Sequence, residues 1–295
     1  MYVIVVGAGK VGLNLARELI DKGNELTIVE NSARRYATVE EYYSDKARLF
    51  ANADPNSTWV VNEDDKAVMR MVRDVAGHKY SFSIVGDAPA YLDARSNQLV
   101  VLAAPLISRA DLPLLGQHNV GNALAASLAV MAADRSHQTQ KARKGIAAAL
   151  KTFRSLPHRL ELVGEFGGVQ WINDSKATNV SSTAVAIDGM ERPTVLLLGG
   201  RHKGEAYTPL AEAVRRKVKR VIAYGEAAPI IATDLRPVVD VVRLGSDFEE
   251  VIRAAKAAAR AGEAVLLSPA CSSYDMLSNY EERGERFRAL AAKEV

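Results

Sequence analysis

The sequence predicts an α/β protein whose carboxyl-terminal half is a doubly wound, Rossmann-like domain on a mainly parallel sheet. From Arg159 onward, apolar runs of strand length near 169–173, 194–199, 220–224, 239–243 and 264–268 alternate with helical stretches near 177–189, 208–217, 226–233 and 247–260, and a last helix begins near Met276. Strands alternating with helices of this length imply βαβ crossovers. The opening residues read strand, glycine turn, helix, strand: 2–6, then Gly7-Ala8-Gly9-Lys10-Val11-Gly12, a helix carrying Leu15, Leu19 and Ile20, and 26–29. That order describes a short Rossmann-like βαβ.

The middle of the chain is less regular. Strand candidates at 59–61, 80–84, 91–93 and 99–103 surround a hairpin signal at Arg95-Ser96-Asn97-Gln98, and an Ala-rich helix follows His118 to about Ala133. This mixture of antiparallel strands and helices reads as a partial central α/β domain. Residues 152–158 form the candidate linker, so the expected domains are 1–31, 32–155 and 156–295.

Composition narrows the function. With 48% hydrophobic and 25% charged residues, the chain is that of a globular protein with sizeable cores. A net charge of +3, with cations and acids interspersed, argues against a nucleic-acid partner. A single cysteine excludes an intramolecular disulfide and fits a reducing compartment. The start carries no basic leader, and no apolar run reaches the roughly 18 residues a membrane span needs. The expectation is a cytoplasmic protein without membrane insertion.

The most informative segment is Asn173-Asp174-Ser175-Lys176-Ala177-Thr178-Asn179, where an acid, an ammonium and hydroxyls follow an apolar strand. The carboxyl end of such a strand is where open α/β sheets bind ligands. The competing reading is that Asp174 or Thr178 caps a helix starting near Ala177. Gly7, Gly9 and Gly12, with Glu30 closing the second strand, have the mechanics of a dinucleotide turn: the glycines admit a pyrophosphate and the acid accepts from a ribose hydroxyl. NAD, a UDP moiety and a purely structural turn all remain open there. His118, Asn119 and Asn122 open the Ala-rich helix, with the two carboxamides three residues apart on one face, suited to a base or ribose or to capping by Asn119. Lys46 on a probable helix reads as solvated. Lys203 follows Gly199-Gly200 at a strand end, well placed for an anion. Ser273 and Tyr274 lie in the loop after the last strand, which otherwise reads as a capped helix start with Cys271 as a small buried side chain.

Taken together and in order, the stretches 42–50, 61–65, 116–125, 156–161, 173–179, 199–204 and 267–284 resemble the Mur ligase family, in its D-glutamate-adding form. The resemblance implies an ATP- and Mg2+-dependent amide ligase of peptidoglycan synthesis: the carboxylate of a UDP-linked muramoyl precursor is phosphorylated, and the amine of D-glutamate then attacks. It implies that Lys46 is carbamylated to hold magnesium. It further implies that His118, Asn119 and Asn122 form the family's His-Asn-x-x-Asn with the second Asn toward adenine, and that Arg159 and Asp174 contact ATP. Lys176, Thr178, Lys203, Ser273 and Tyr280 would then meet the phosphoryl centre or D-glutamate, with Tyr280 standing where the family usually has Phe. Two departures accompany the match. No Gly-x-x-x-x-Gly-Lys-Ser/Thr occurs in the chain, and Ser32 or a neighbour stands where the family has a His. The first 30 residues resemble the NAD-binding domain of Trk-type potassium-uptake regulators or the opening of the family's UDP domain. An internal deletion or fusion, with low turnover, is the expectation. The rival is a non-catalytic nucleotide-sensing protein that uses Gly7 to Glu30.

Overall fold

The structure is a computed structural model that describes the backbone of residues 2–6, 25–29 and 39–293 and the side chains of 43–293. The helix expected after Gly7, together with Gly7, Gly9, Gly12 and Glu30, lies outside the described residues. The chain divides into two compact units, 1–81 and 82–295.

In the first unit, β1 (Tyr2–Val6) and β2 (Glu25–Val29) pair in parallel, as a βαβ requires. α1 (Val39–Ala47) and a single 3-10 turn follow, then β3 (Thr58–Asn62), α2 (Lys66–Val72) and the start of β4 (His78–Ser83). Asp65 caps α2 by accepting from the Ala67 and Val68 amides. Trp59 packs edge-to-face on Phe50 at 5.0 Å and donates its indole N–H to Ala76 O.

The second unit begins where the last residues of β4 pair with β5 (Ala90–Asp93). β6 (Gln98–Val101) returns antiparallel to β5 through the expected hairpin, whose Asn97 adopts φ 55°, and β7 (Ala104–Ser108) extends the meander. α3 (Gln117–Ala133) and α4 (Gln140–Thr152) follow.

The rest forms a six-stranded sheet of β8 (Glu161–Phe166), β9 (Val169–Asn173), β10 (Thr194–Gly199), β11 (Val218–Tyr224), β12 (Asp240–Arg243) and β13 (Ala264–Ala270), in the order β12-β11-β10-β13-β9-β8. Only β8 runs antiparallel. β10 and β13 are buried along their whole length, which is why each carries an apolar run at its centre. Alternate side chains feed two cores. Leu196, Leu198, Val221 and Leu266 pack toward α5 (Val180–Asp188), α6 (Ala211–Lys217) and α7 (Ala228–Leu235). Val195, Leu197, Ile222 and Val265 pack toward α8 (Phe248–Ala258) and α9 (Tyr280–Ala292), through Phe248, Ile252 and Phe287. The chain passes over β13 between β9 and β10, so the order reverses there, and a crevice at such a reversal is where doubly wound sheets bind ligands.

Three local expectations are corrected. α5 starts at Val180 rather than 177, because Asn179, not Asp174 or Thr178, caps it by accepting from Ser182 N at 2.8 Å. α9 starts at Tyr280 rather than Met276, capped by Asn279. The cap of α3 is Gly116 at φ 83°, with no side-chain bond, so Asn119 is not a cap. Among the described residues no helix is long and apolar enough to cross a membrane.

Candidate functional site

Loops leaving β9, β10 and β13 meet at the carboxyl edge of the sheet. Lys203 Nζ donates to Thr178 O at 2.6 Å, Ala270 N to Ala177 O at 3.0 Å, and Arg201 N to Ser272 O at 2.9 Å. Gly200 lets the last contact form: at φ 121°, a Cβ there would stand 2.3 Å from Ser272 O. His158, Leu160 and Ala270, all non-glycine, take positive φ around this edge, at 65°, 44° and 56°. Backbone strain of this kind persists only where surrounding structure enforces it.

Asp174 closes β9. One carboxylate oxygen accepts from Leu160 N at 3.2 Å and the other from Ser268 Oγ at 2.8 Å, and Ser268 Oγ also bonds Thr183 Oγ1. Burial outweighs these bonds and the nearby Arg159 charge, pushing the carboxyl up to about 7. Asn173, fully buried, spends its amide on His158 Nδ1, Glu161 and Gly284 O. Lys176 carries its ammonium over the Tyr280 ring, 3.8 Å from the centroid. Desolvation lowers its pKa, and the neighbouring Arg159 cation lowers it further. Burial and Glu281 push the Tyr280 phenol up to about 12. Arg159 is exposed. Lys203 is exposed overall, yet desolvation of its ammonium lowers its pKa against the pull of Cys271 and Glu205. Ser273 is 3% exposed and Tyr274 63%, so the first sits inside the edge and the second on its rim. Three cations and a ring of hydroxyl and amide groups suit a ligand with more than one anionic group.

The structure thus gathers Arg159, Asp174, Lys176, Thr178, Lys203, Ser273 and Tyr280. It does not bring His118, Asn119 and Asn122 to the same place. Gly116, before the first turn of α3, approaches Gly189, which follows the carboxyl end of α5 rather than its start beside Thr178. Asn119 donates its amide to Leu115 O, and the exposed Asn122 donates to Asn119 Oδ1 at 3.2 Å. Burial lowers the pKa of His118. Lys46 lies in the last turn of α1, in the other compact unit.

One residue the sequence reading did not single out completes the edge. Arg283 is 1% exposed and hydrogen-bonds Ser175 and Cys271. Cys271 is also buried, as its size suggested, with its sulfur 2.9 Å from Tyr207 Oη.

Two family models match the chain, the Mur ligase middle domain over residues 28–130 and the Mur ligase glutamate ligase domain over residues 158–271. The UDP-N-acetylmuramoylalanine–D-glutamate ligase of Bdellovibrio bacteriovorus is 35% identical, over 90% of this chain and 59% of that protein. The corresponding ligase of Cytophaga hutchinsonii is 32% identical, over 98% of this chain and 70% of that protein. The chain spans roughly 60% of the length of most such curated relatives. Among solved structures, MurF ligase from Thermotoga maritima in complex with ADP superposes with a TM-score of 0.61 at 15% identity, over 90% of this chain and 60% of that one, a likeness of fold.

Proposed function

Since this chain belongs to the Mur ligase family, we propose that it takes D-glutamate and adenine nucleotide in the manner of a D-glutamate-adding ligase of peptidoglycan synthesis, acting in the cytoplasm on a UDP-linked muramoyl precursor. The observation that carries this reading is the convergence of Lys203 and Thr178, joined at 2.6 Å, beside Ser273 and the Lys176–Tyr280 pair. A dicarboxylic amino acid offers two anions to such an edge. Lys203 and the hydroxyls of Thr178 and Ser273 would hold the carboxylates, and Lys176 and Arg159 would face the developing phosphoryl charge.

Adenine nucleotide fits the donors present: Asn122 is an exposed carboxamide, and Arg159 is exposed beside the site. When bound, ATP supplies the phosphoryl group that activates the precursor carboxylate. A carbamate on Lys46 would give Mg2+ one oxygen donor. Among the described residues, however, no group of three or more His, Cys, Asp or Glu could complete a cage. The domain division 1–31, 32–155 and 156–295 belongs to the same proposal. The parallel β1–β2 pair favours a second reading, a sensor of NAD or a related nucleotide at the glycine turn.

Calorimetric titration with D-glutamate, using L-glutamate as comparator, tests the first reading. Saturable heat with the D isomer alone supports it. Absence of binding at millimolar concentration, together with saturable binding of NAD, would replace it with the second.

A further inference from the structure

Arg283 is the fourth residue of α9, and its guanidinium is buried without an ion-pair partner among the described residues. Burying a cation this way is unfavourable unless its donors are satisfied. Here Nη1 and Nη2 both donate to Cys271 O at 3.1 Å, Nη2 also donates to Ser175 O at 2.9 Å, and Nε to Ser175 Oγ at 2.9 Å. Ser175 Oγ in turn donates to Tyr280 O at 2.8 Å. One planar fork therefore ties the loop after β9 to the loop after β13 and to the first turn of α9.

Packing delivers the fork into that gap. Gly284 follows Arg283, and a Cβ there would stand 2.1 Å from His158 Nδ1, so α9 lies against the sheet edge as closely as a bare backbone allows. Gly200 leaves room on the other side, where a Cβ would stand 3.3 Å from Arg283 Nη1. A lysine could reach one carbonyl from a single point but has no rigid fork to span two loops.

We propose that Arg283 is a positioning residue: without touching substrate, it sets the spacing between Lys176 and Thr178 on one loop and Ser273 on the other, and through that spacing the affinity for the dicarboxylic amino acid. Its consequence for ligand binding rests on the reading of the site given above, while the clamp itself does not.

Cys271 is the only cysteine in the chain, is 1% exposed, and has its carbonyl gripped by the fork. Thiol labelling of the native protein therefore reports whether the β13 loop is held. In Arg283→Lys and Arg283→Met, labelling of Cys271 should accelerate at least tenfold over the parent while unfolding stays cooperative. The dissociation constant for D-glutamate should rise at least tenfold, with that for ADP changing less than threefold, a split that general loss of stability would not produce. If the Met variant fails to fold, the Lys variant, which keeps the charge, carries the test. Folded Arg283→Lys with Cys271 as protected as in the parent overturns the clamp. Labelling needs no ligand, so it decides this even if the parent chain does not bind D-glutamate, an outcome that would instead sink the functional reading.

Discussion

Asp174 should make the second unit more stable in mild acid than above neutrality. Its carboxyl is pushed from an ordinary 3.8 to about 7, chiefly by burial, with Ser268, Leu160 N and Arg159 opposing the rise only in part. A carboxyl with a raised folded-state pKa binds its proton more tightly when folded. Its contribution to stability is therefore full below the unfolded value, falls as pH rises from about 4 to about 7, and is flat beyond. At about 1.4 kcal/mol per pH unit, the interval corresponds to roughly 4 kcal/mol, of which roughly 2–3 falls between pH 5 and pH 8. Relaxation around the ionised group trims this, and a change of about 1–2 kcal/mol is expected.

The test compares the protein with Asp174→Asn, which keeps an acceptor for Leu160 N but cannot ionise. Urea unfolding followed by tryptophan fluorescence suits the question, because the two tryptophans divide between the units: Trp59 in the first, and Trp171, 2% exposed, on the strand that ends beside Asp174. A Trp59→Phe background isolates the relevant signal. Relative to the parent, the Asn variant should gain stability between pH 5 and pH 8 by the amount above. A difference between parent and variant that is the same at both pH values would refute the raised pKa.

Lys203→Ala should weaken D-glutamate binding by about 10- to 100-fold in calorimetry, the scale of one charge-assisted hydrogen bond. Asn122→Ala should weaken binding of an ATP analogue while Gly9→Ala leaves it unchanged, and the opposite ranking would move the nucleotide site to the glycine turn. The fragment 156–295 should fold alone, because β8 to β13 and their helices contain both halves of a two-sided core. Amide NMR dispersion limited to that of a disordered chain would show that it needs the preceding residues.

What the sequence disclosed follows burial. β9 and β10 match their expected bounds to the residue, because strands covered on both faces leave apolar runs that polar residues terminate sharply. β8 was not foreseen: it is an edge strand, half exposed, interrupted by Gly164 and irregular in register against β9. α4 was missed for a related reason: its apolar stripe is short, Ile146 and Leu150 with alanines, and none of its residues is fully buried. At the site, Lys203 and Thr178 were legible as separate strand-end residues, but their bond required the fold. Arg283 hid among Glu281, Glu282 and Glu285 as one more surface charge. Its signal was helical phase: with α9 starting at Tyr280, Arg283, Phe287 and Ala291 fall four residues apart on the buried stripe.

The two ends of the candidate site differ in completeness, and this predicts an imbalance between binding and turnover. The proposed glutamate end has its residues assembled on three loops cross-linked by Lys203, Ala270 and Arg283. At the proposed nucleotide end, the chain contains no Gly-x-x-x-x-Gly-Lys-Ser/Thr to cradle the β- and γ-phosphates. Phosphoryl transfer draws most of its acceleration from donors already aimed at developing charge, and losing one such donor costs about a hundred- to a thousandfold in rate. Phosphate release dependent on both precursor and D-glutamate should accordingly fall at least several orders of magnitude below that of a full-length relative assayed alongside, and Lys46→Ala should change it little. D-glutamate binding, in contrast, should survive. Robust precursor-dependent release abolished by Lys46→Ala would refute this imbalance, because it would require a phosphate cradle supplied by some other part of the chain.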